Sequence, residues 1–303
     1  MKRILICGAN GLLGQRLSLM LSTQNDYEVL STSVERSFVF DKMLLDYNQL
    51  DITNRSDVKS LISSYQPDVI LNAAAATNVD WCESHREEAW KANVIAVENL
   101  AEASRKVGAK LIHVSTDYIF DGKNGPYDEE AQPNPIGYYG KTKLASENAV
   151  RVAEISHTIL RTIVLYGSGI DVKANFALWV VNNLKAGKQI TVVDDQLGNP
   201  TFVSDLAMAM IKAFELNREG IFHIGGGDRL SRYDFALQAA EVFGLDASLI
   251  KRIKTSDLKQ DSPRPMVSGF ITLKAETQLG MRFLNSKEGL TLLKHELQSN
   301  GRN

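Results

Sequence analysis

Apolar residues along this chain follow two rhythms that take turns. Short runs of Ile, Leu and Val, such as 4–7, 28–34, 69–73, 110–115 and 159–165, have the length and bounding turns of buried strands. Between them apolar positions recur at helical spacing. Leu13, Leu17, Met20 and Leu21 follow the first run, and Val58, Leu61, Ile62 and Tyr65 follow a capping signal at Thr53 or Asn54. A long helix is expected over 84–107 with Gly108 as its stop, and another over 139–154. This alternation predicts an α/β fold, a Rossmann-like doubly wound parallel sheet.

After Gly167 the rhythm loosens. The spacing predicts a helix over 173–187, a strand over 190–193, a turn-rich stretch over 194–200 and a helix that Ser204 caps. A strand over 221–224 rejoins the main sheet, and Ser231 with Asp234 caps a further helix. The expected organisation is a dinucleotide-binding domain of residues 1–165 resumed at about 201–225, with a smaller, discontinuous α/β substrate-binding domain from 166–200 and 226–303. The last helix, 286–298, sets Leu290, Leu293 and Leu297 on one face, which suits domain packing or a subunit contact. The segment 117–137 is rich in Asp, Gly, Asn and Pro, and a loop of that length inside a compact domain is usually functional.

Charge narrows the partners. Thirty-four basic against 36 acidic residues leave a net charge of −2, so no bulk field draws the protein to nucleic acid or to an anionic membrane. Two cysteines, Cys7 and Cys82, cannot build a disulfide framework, which points to a reducing compartment. The apolar start at Ile4 is interrupted at Gly8 too early for a signal peptide, and no run reaches membrane-spanning length, so a cytoplasmic location is expected. His85, His113, His157, His223 and His295 lack metal-ligand spacing, so no metal is expected; His113, inside an apolar strand, reads as a hydrogen-bonded core residue.

The stretch Gly8-Ala9-Asn10-Gly11-Leu12-Leu13-Gly14 joins the first strand to the first helix. A helix N-terminus there offers free N–H groups and the positive end of its dipole, and glycines let a pyrophosphate approach. Asn10 and Leu12 are counted with Gly8, Gly11 and Gly14 as cofactor-facing. At the end of the second strand Ser33 with Arg36 favours a 2′-phosphate, hence NADP(H), while Glu35 is the rival that favours NAD(H).

Tyr139 and Lys143 form the only Tyr-x-x-x-Lys pair in the chain and share one helix face. A ketone taking hydride needs a proton donor at its oxygen, and a neighbouring lysine cation is expected to pull a tyrosine toward working pH. Thr116 or Ser115 can hold the carbonyl.

Together these residues resemble the extended short-chain dehydrogenase/reductase superfamily, whose signature pair is GxxGxxG and Tyr-x-x-x-Lys. Within it the chain is similar to the dTDP-4-dehydrorhamnose reductase family, through Asn72-Ala73-Ala74-Ala75, Asp80 with Glu83, Ser115-Thr116-Asp117-Tyr118, Tyr139-Gly140-Lys141-Thr142-Lys143, Leu160-Arg161-Thr162 and Val193-Asp194-Asp195-Gln196-Leu197-Gly198-Asn199-Pro200-Thr201. The resemblance implies an NAD(P)H-dependent reductase of a nucleotide-linked 4-keto-6-deoxy sugar, with Thr116, Tyr139 and Lys143 catalytic. It implies Asp51 and Ile52 near the adenine, Ala73, Ala74 and Ala75 along the cofactor channel, and Lys143 on the nicotinamide ribose. It places Asp80, Thr116 and Asp117 toward the sugar and Arg264 toward the phosphates, and a homodimer is compatible with it. Met266-Val267 after Arg264-Pro265 departs from the family's Asn-Ser pair. Tyr118 after Asp117 argues against a dehydratase, whereas an epimerase and an NADP-binding regulatory subunit like that of methionine adenosyltransferase remain as alternatives.

Overall fold

The fold was obtained as a computed structural model, which describes residues 1–40 and 45–299. In chain order it runs β1 (Lys2–Cys7), α1 (Leu12–Ser22), β2 (Tyr27–Ser33), β3 (Asp46–Gln49), α2 (Arg55–Tyr65), β4 (Val69–Asn72), α3 (Val79–Ser84), α4 (Arg86–Trp90), a π turn at Lys91–Ile95, α5 (Ala96–Val107) and β5 (Lys110–Thr116). Then follow α6 (Tyr138–Val152), β6 (His157–Thr162), β7 (Leu165–Tyr166), α7 (Phe176–Lys185), β8 (Ile190–Val193), β9 (Leu197–Gly198), β10 (Thr201–Phe202), α8 (Val203–Glu215) and β11 (Gly220–Ile224). The chain continues through β12 (Leu230–Ser231), α9 (Arg232–Phe243), β13 (Ile250–Ile253), α10 (Leu273–Leu279) and α11 (Ser286–Ser299).

Seven strands form one parallel sheet in the order β11-β6-β5-β4-β1-β2-β3. Its apolar runs are continuous because both faces are covered. Ile4 and Ile6 of β1 pack with Leu13 and Leu17 of α1 and Leu206 of α8, whereas Leu5 and Cys7 pack with Val58 and Ile62 of α2 and Leu100 of α5. Chain order reverses at β1: β2 and β3 lie on one side and β4 on the other. Such a switch point opens a crevice beyond the carboxyl ends of β1 and β4, where doubly wound sheets bind ligands.

A separate two-stranded parallel pair, β8 with β13, lies with α7 and α9 beside the main sheet, and β11 returns to pair with β6. Asn54 caps α2 and Ser231 caps α9, as expected. Ser204 does not cap α8: Phe202 holds the N-cap position and Ser204 falls inside the first turn. The helix expected over 84–107 runs without a gap from Arg86 to Val107, with the π turn inside it and Gly108 as its left-handed cap, and a separate short helix, Val79–Ser84, precedes it. His85, with φ −123° and ψ 62°, breaks the run.

Candidate active site

At the switch point the glycines divide their work. Gly8 has φ +83°, and a Cβ there would stand 2.8 Å from the Ala74 backbone nitrogen. A Cβ on Gly14 would lie 2.1 Å from the Gly8 carbonyl oxygen. These two glycines therefore serve the close winding of the loop on itself and on the chain after β4. Gly11 is exposed, meets only the Gly8 carbonyl at 3.3 Å, and is the N-cap of α1 with no side chain covering the helix end. The first-turn N–H groups of α1, beginning at Leu12, are thus the ones left for an anion.

Ala73, Ala74 and Ala75 continue from β4 across the crevice, with Ala73 and Ala74 half-buried and Ala75 exposed. Their course is fixed by two asparagines. Asn72 accepts the Ala74 N–H at 3.1 Å, and Asn93 accepts the Ala76 N–H at 2.8 Å while donating to the Ala76 carbonyl and to Thr142 Oγ1, each at 3.0 Å. Asn93 sits in the π turn, whose extra residue per turn aims it at this loop. An uncapped helix end, a glycine left open and a floor of small side chains fit a bound dinucleotide.

At the end of β2 the Ser33 hydroxyl donates to Glu35, and Asn10 Nδ2 contacts the same carboxylate at 3.3 Å. Although burial pushes it up, the Ser33 and Asn10 hydrogen bonds bring Glu35 below the usual carboxylate range. Arg36 is exposed. Asp51 is exposed and accepts the Thr53 N–H at 2.9 Å, and buried Ile52 is anchored through its carbonyl to Asn99 at 3.0 Å.

Tyr139 and Lys143 lie on α6, both buried. Burial raises the Tyr139 phenol far above its ordinary value; a hydrogen bond with Thr116 opposes the rise, and repulsion from Asp117 adds to it. The sequence expectation that Lys143 brings the phenol down is not met: burial dominates, and Lys143 is not among the groups that shift it. Lys143 Nζ donates to the Val114 carbonyl at 2.7 Å and stands 3.3 Å from His113 Nε2, and burial lowers its pKa to about 8 against the attraction of Glu147.

His113 is the hydrogen-bonded core residue anticipated, and it also positions the lysine. Its Nδ1 lies 3.1 Å from Asn72 Nδ2 and its Nε2 2.9 Å from Ser146 Oγ, which itself donates to the Lys143 carbonyl at 2.7 Å. With Asn72 donating to Nδ1, the Nε2 proton goes to Ser146 Oγ, so Lys143 Nζ is a neighbour of Nε2 and not its donor, and burial plus the Lys143 charge hold the imidazole neutral. Asn72, His113 and Ser146 thus tie the β4 terminus to the turn of α6 that carries Lys143.

Thr116 Oγ1 donates to Asp117 Oδ1 at 3.2 Å and accepts the Tyr118 N–H at 3.3 Å. The Ser115 hydroxyl is sealed in the protein without a partner among the described residues, which leaves Thr116 as the hydroxyl beside Tyr139. Asp117 is buried, raised to about 6 by desolvation, and receives the Ser268 hydroxyl at 2.8 Å. Asp80 and Arg264 engage each other at 2.7 Å, so both expected substrate contacts already have partners. Glu83 has a structural role that sequence spacing does not show. Its Oε2 accepts the Tyr138 N–H at 3.0 Å and the Ser262 hydroxyl at 3.3 Å, fixing the start of α6 one residue before Tyr139.

Among the described residues, no cluster of three or more His, Cys, Asp or Glu is arranged to hold a metal, and no helix is long and apolar enough to cross a membrane. The model of the family described as the RmlD substrate binding domain matches residues 1–299. The chain belongs to that family. Among RmlD relatives it is 35% identical over 294 residues to a dTDP-4-dehydrorhamnose reductase of Aggregatibacter actinomycetemcomitans, covering 93% of this chain and 95% of the relative. It is 34% identical over 270 residues to methionine adenosyltransferase 2 subunit beta of Xenopus tropicalis, covering 87% of this chain and 78% of that one. The crystal structure of dTDP-4-dehydrorhamnose reductase from Bacillus anthracis in complex with NADP superposes with a TM-score of 0.87 at 32% identity, covering 98% of this chain and 100% of that chain. This RmlD chain is therefore an extended short-chain dehydrogenase/reductase, as the glycine loop and the Tyr139–Lys143 pair suggested.

Proposed function

We propose that the chain reduces the keto group of a nucleotide-linked 4-keto-6-deoxy sugar, as a dTDP-4-dehydrorhamnose reductase does, with NADP(H) preferred and NAD(H) usable. The observation that carries this reading is the buried Tyr139–Lys143 pair on α6, set beside Thr116 at the end of β5 with Lys143 Nζ anchored on the Val114 carbonyl. When bound, the nicotinamide supplies the hydride. Tyr139 gives its hydroxyl proton to the carbonyl oxygen as charge develops there, and a phenol held neutral suits that acid role. Thr116 redirects its hydroxyl from Asp117 to the carbonyl. Lys143 stabilises the phenolate that remains, and Asn72, His113 and Ser146 hold Lys143 in place.

The cofactor lies, in this reading, on Gly8, Asn10, Gly11, Leu12 and Gly14, with Ser33, Arg36, Asp51 and Ile52 at the adenosine end and Ala73, Ala74 and Ala75 beneath the chain leading to Tyr139 and Lys143. Asp117 faces the sugar, and the Asp80–Arg264 pair closes the site from the side. Residues 166–200 and 226–303 form the substrate-binding part, and 1–165 with 201–225 the dinucleotide-binding part. NADPH oxidation in the presence of dTDP-4-dehydrorhamnose tests the proposal. Absence of turnover with cofactor binding retained would sink it in favour of a regulatory role, which the likeness to the methionine adenosyltransferase subunit makes the natural competitor.

The Lys143 environment adds a pH prediction. A lysine lowered to about 8 is largely protonated at neutral pH and loses its charge as pH rises through 8, so kcat/KM should fall on that alkaline limb. For stability the sign is opposite. Between 8 and the ordinary lysine value the unfolded chain holds more protons than the folded one, so stability rises with pH there. In Lys143→Arg the activity that survives should show no limb near 8, because a guanidinium keeps its charge. A limb unchanged by that substitution would assign it to another group.

A further inference from the structure

Among the described residues the site contains one half-buried arginine that forms no ion pair. Arg232, the first residue of α9, lines a pocket with Asp117, Tyr118, Gln196, Pro265 and Ser268, beyond the ends of β5 and β6. Among the described residues its guanidinium has no carboxylate in ion-pair range and no hydrogen-bond acceptor; it lies over the Phe176 ring at 4.8 Å. The other arginines of this region are engaged: Arg161 with Glu147, Arg264 with Asp80, and Arg229 with the Ser268 and Gly125 carbonyls. Desolvation disfavours the Arg232 charge and the nearby Arg264 adds to the penalty, while Tyr118 and Asp117 offset part of it. Its position is electrostatically adverse as well, because a cation in the first turn of a helix faces the positive end of the dipole. Ser231 already caps α9 and Asp234 answers its dipole, so the cost left for an anion to relieve is the desolvation of the guanidinium.

We propose that Arg232 is the residue that reads the diphosphate of the nucleotide-linked substrate, while the Asp80–Arg264 pair acts as a structural clasp. This rests on the reductase reading above in taking a nucleotide sugar as the ligand. Planar N–H pairs match phosphate oxygens, and the Phe176 ring keeps the guanidinium plane oriented without competing for those donors. Arg232 is the one cation among the residues lining this pocket, where Gln196 and Ser268 are neutral and burial pushes the Asp117 carboxyl up to about 6.

The probe is dTDP against thymidine, both measured by calorimetry on the NADPH-loaded protein. Arg232→Gln should weaken dTDP on the order of 30-fold, the scale of a lost charge-assisted contact, and leave thymidine unchanged. Arg232→Lys should recover part of the loss. Equal losses for both ligands, or none for either, would overturn the assignment. Should Arg232→Gln fail to fold, the arginine side-chain N–H resonances of the unmutated protein replace it. The Arg232 signal should shift with dTDP and not with thymidine, and a signal indifferent to dTDP overturns the inference. Binding needs no turnover, so a protein that prefers dTDP but reduces nothing keeps the inference and loses the reductase reading. A protein with no preference for dTDP over thymidine loses the inference whatever its turnover.

Discussion

Replacing Tyr139 with phenylalanine is expected to lower kcat for dTDP-4-dehydrorhamnose by about 10²- to 10⁴-fold, the usual range for a positioned general acid, and to leave NADPH affinity nearly unchanged. The substitution removes one oxygen from a buried ring and keeps its volume, so the edge-on contact with Tyr118, with centroids 5.5 Å apart, persists. Nor does it orphan Thr116, whose hydroxyl keeps Asp117 and the Tyr118 N–H as partners. The loss is therefore specific to the transition state. Steady-state rates with a fluorescence titration of NADPH measure both quantities. A kcat within tenfold of the parent protein would remove Tyr139 from the acid role and leave the proton to another donor.

The parts of the fold that were legible are those in which burial writes a periodic signal. Strands β1, β4 and β5 are covered on both faces, so their sequences are unbroken apolar runs. Strand β3, Asp-Tyr-Asn-Gln, went unread because it is a largely exposed edge strand with no apolar alternation, and β13, Ile-Lys-Arg-Ile, because it pairs only with β8 in a small sheet. The π turn at Lys91–Ile95 leaves the apolar spacing nearly intact, so the helix ending at Gly108 was legible although the turn inside it was not.

The same logic separates the site residues. Tyr139 and Lys143 were visible because four residues on a helix fix their relation, and the glycine loop because its position after the first strand gives it meaning. Asn93, Glu83 and His113 acquire their roles through partners far away in sequence, which spacing does not encode. Glu83, for example, meets the Tyr138 N–H 55 residues on. The Tyr139–Lys143 relation itself was misjudged for a physical reason. Charge is written in the sequence but desolvation is not, and here burial outweighs attraction for both groups.

Helix α6 carries both reacting side chains, and one buried ion pair is among the contacts that hold it to the sheet. Glu147 on α6 takes Arg161 of β6 through both oxygens, at 2.9 and 2.8 Å, with the two side chains 0% and 2% exposed. The guanidinium also lies 5.4 Å from the Phe120 ring centroid and 3.3 Å from His223 Nε2. Neither contact replaces a carboxylate. Glu147→Ala leaves an uncompensated buried cation and should cost about 3–5 kcal/mol, read as a lowered urea midpoint with an unchanged slope. Removing both charges together, as Glu147→Leu with Arg161→Met, should restore much of that loss, because the desolvation cost of each ion disappears with the ion. The single variant should also move the alkaline limb of kcat/KM downward, since Glu147 is the charge that favours the Lys143 proton. A Glu147→Ala protein within about 1 kcal/mol of its parent would mean that the cavity relaxes to admit water to Arg161, and the pair would then be no anchor for α6.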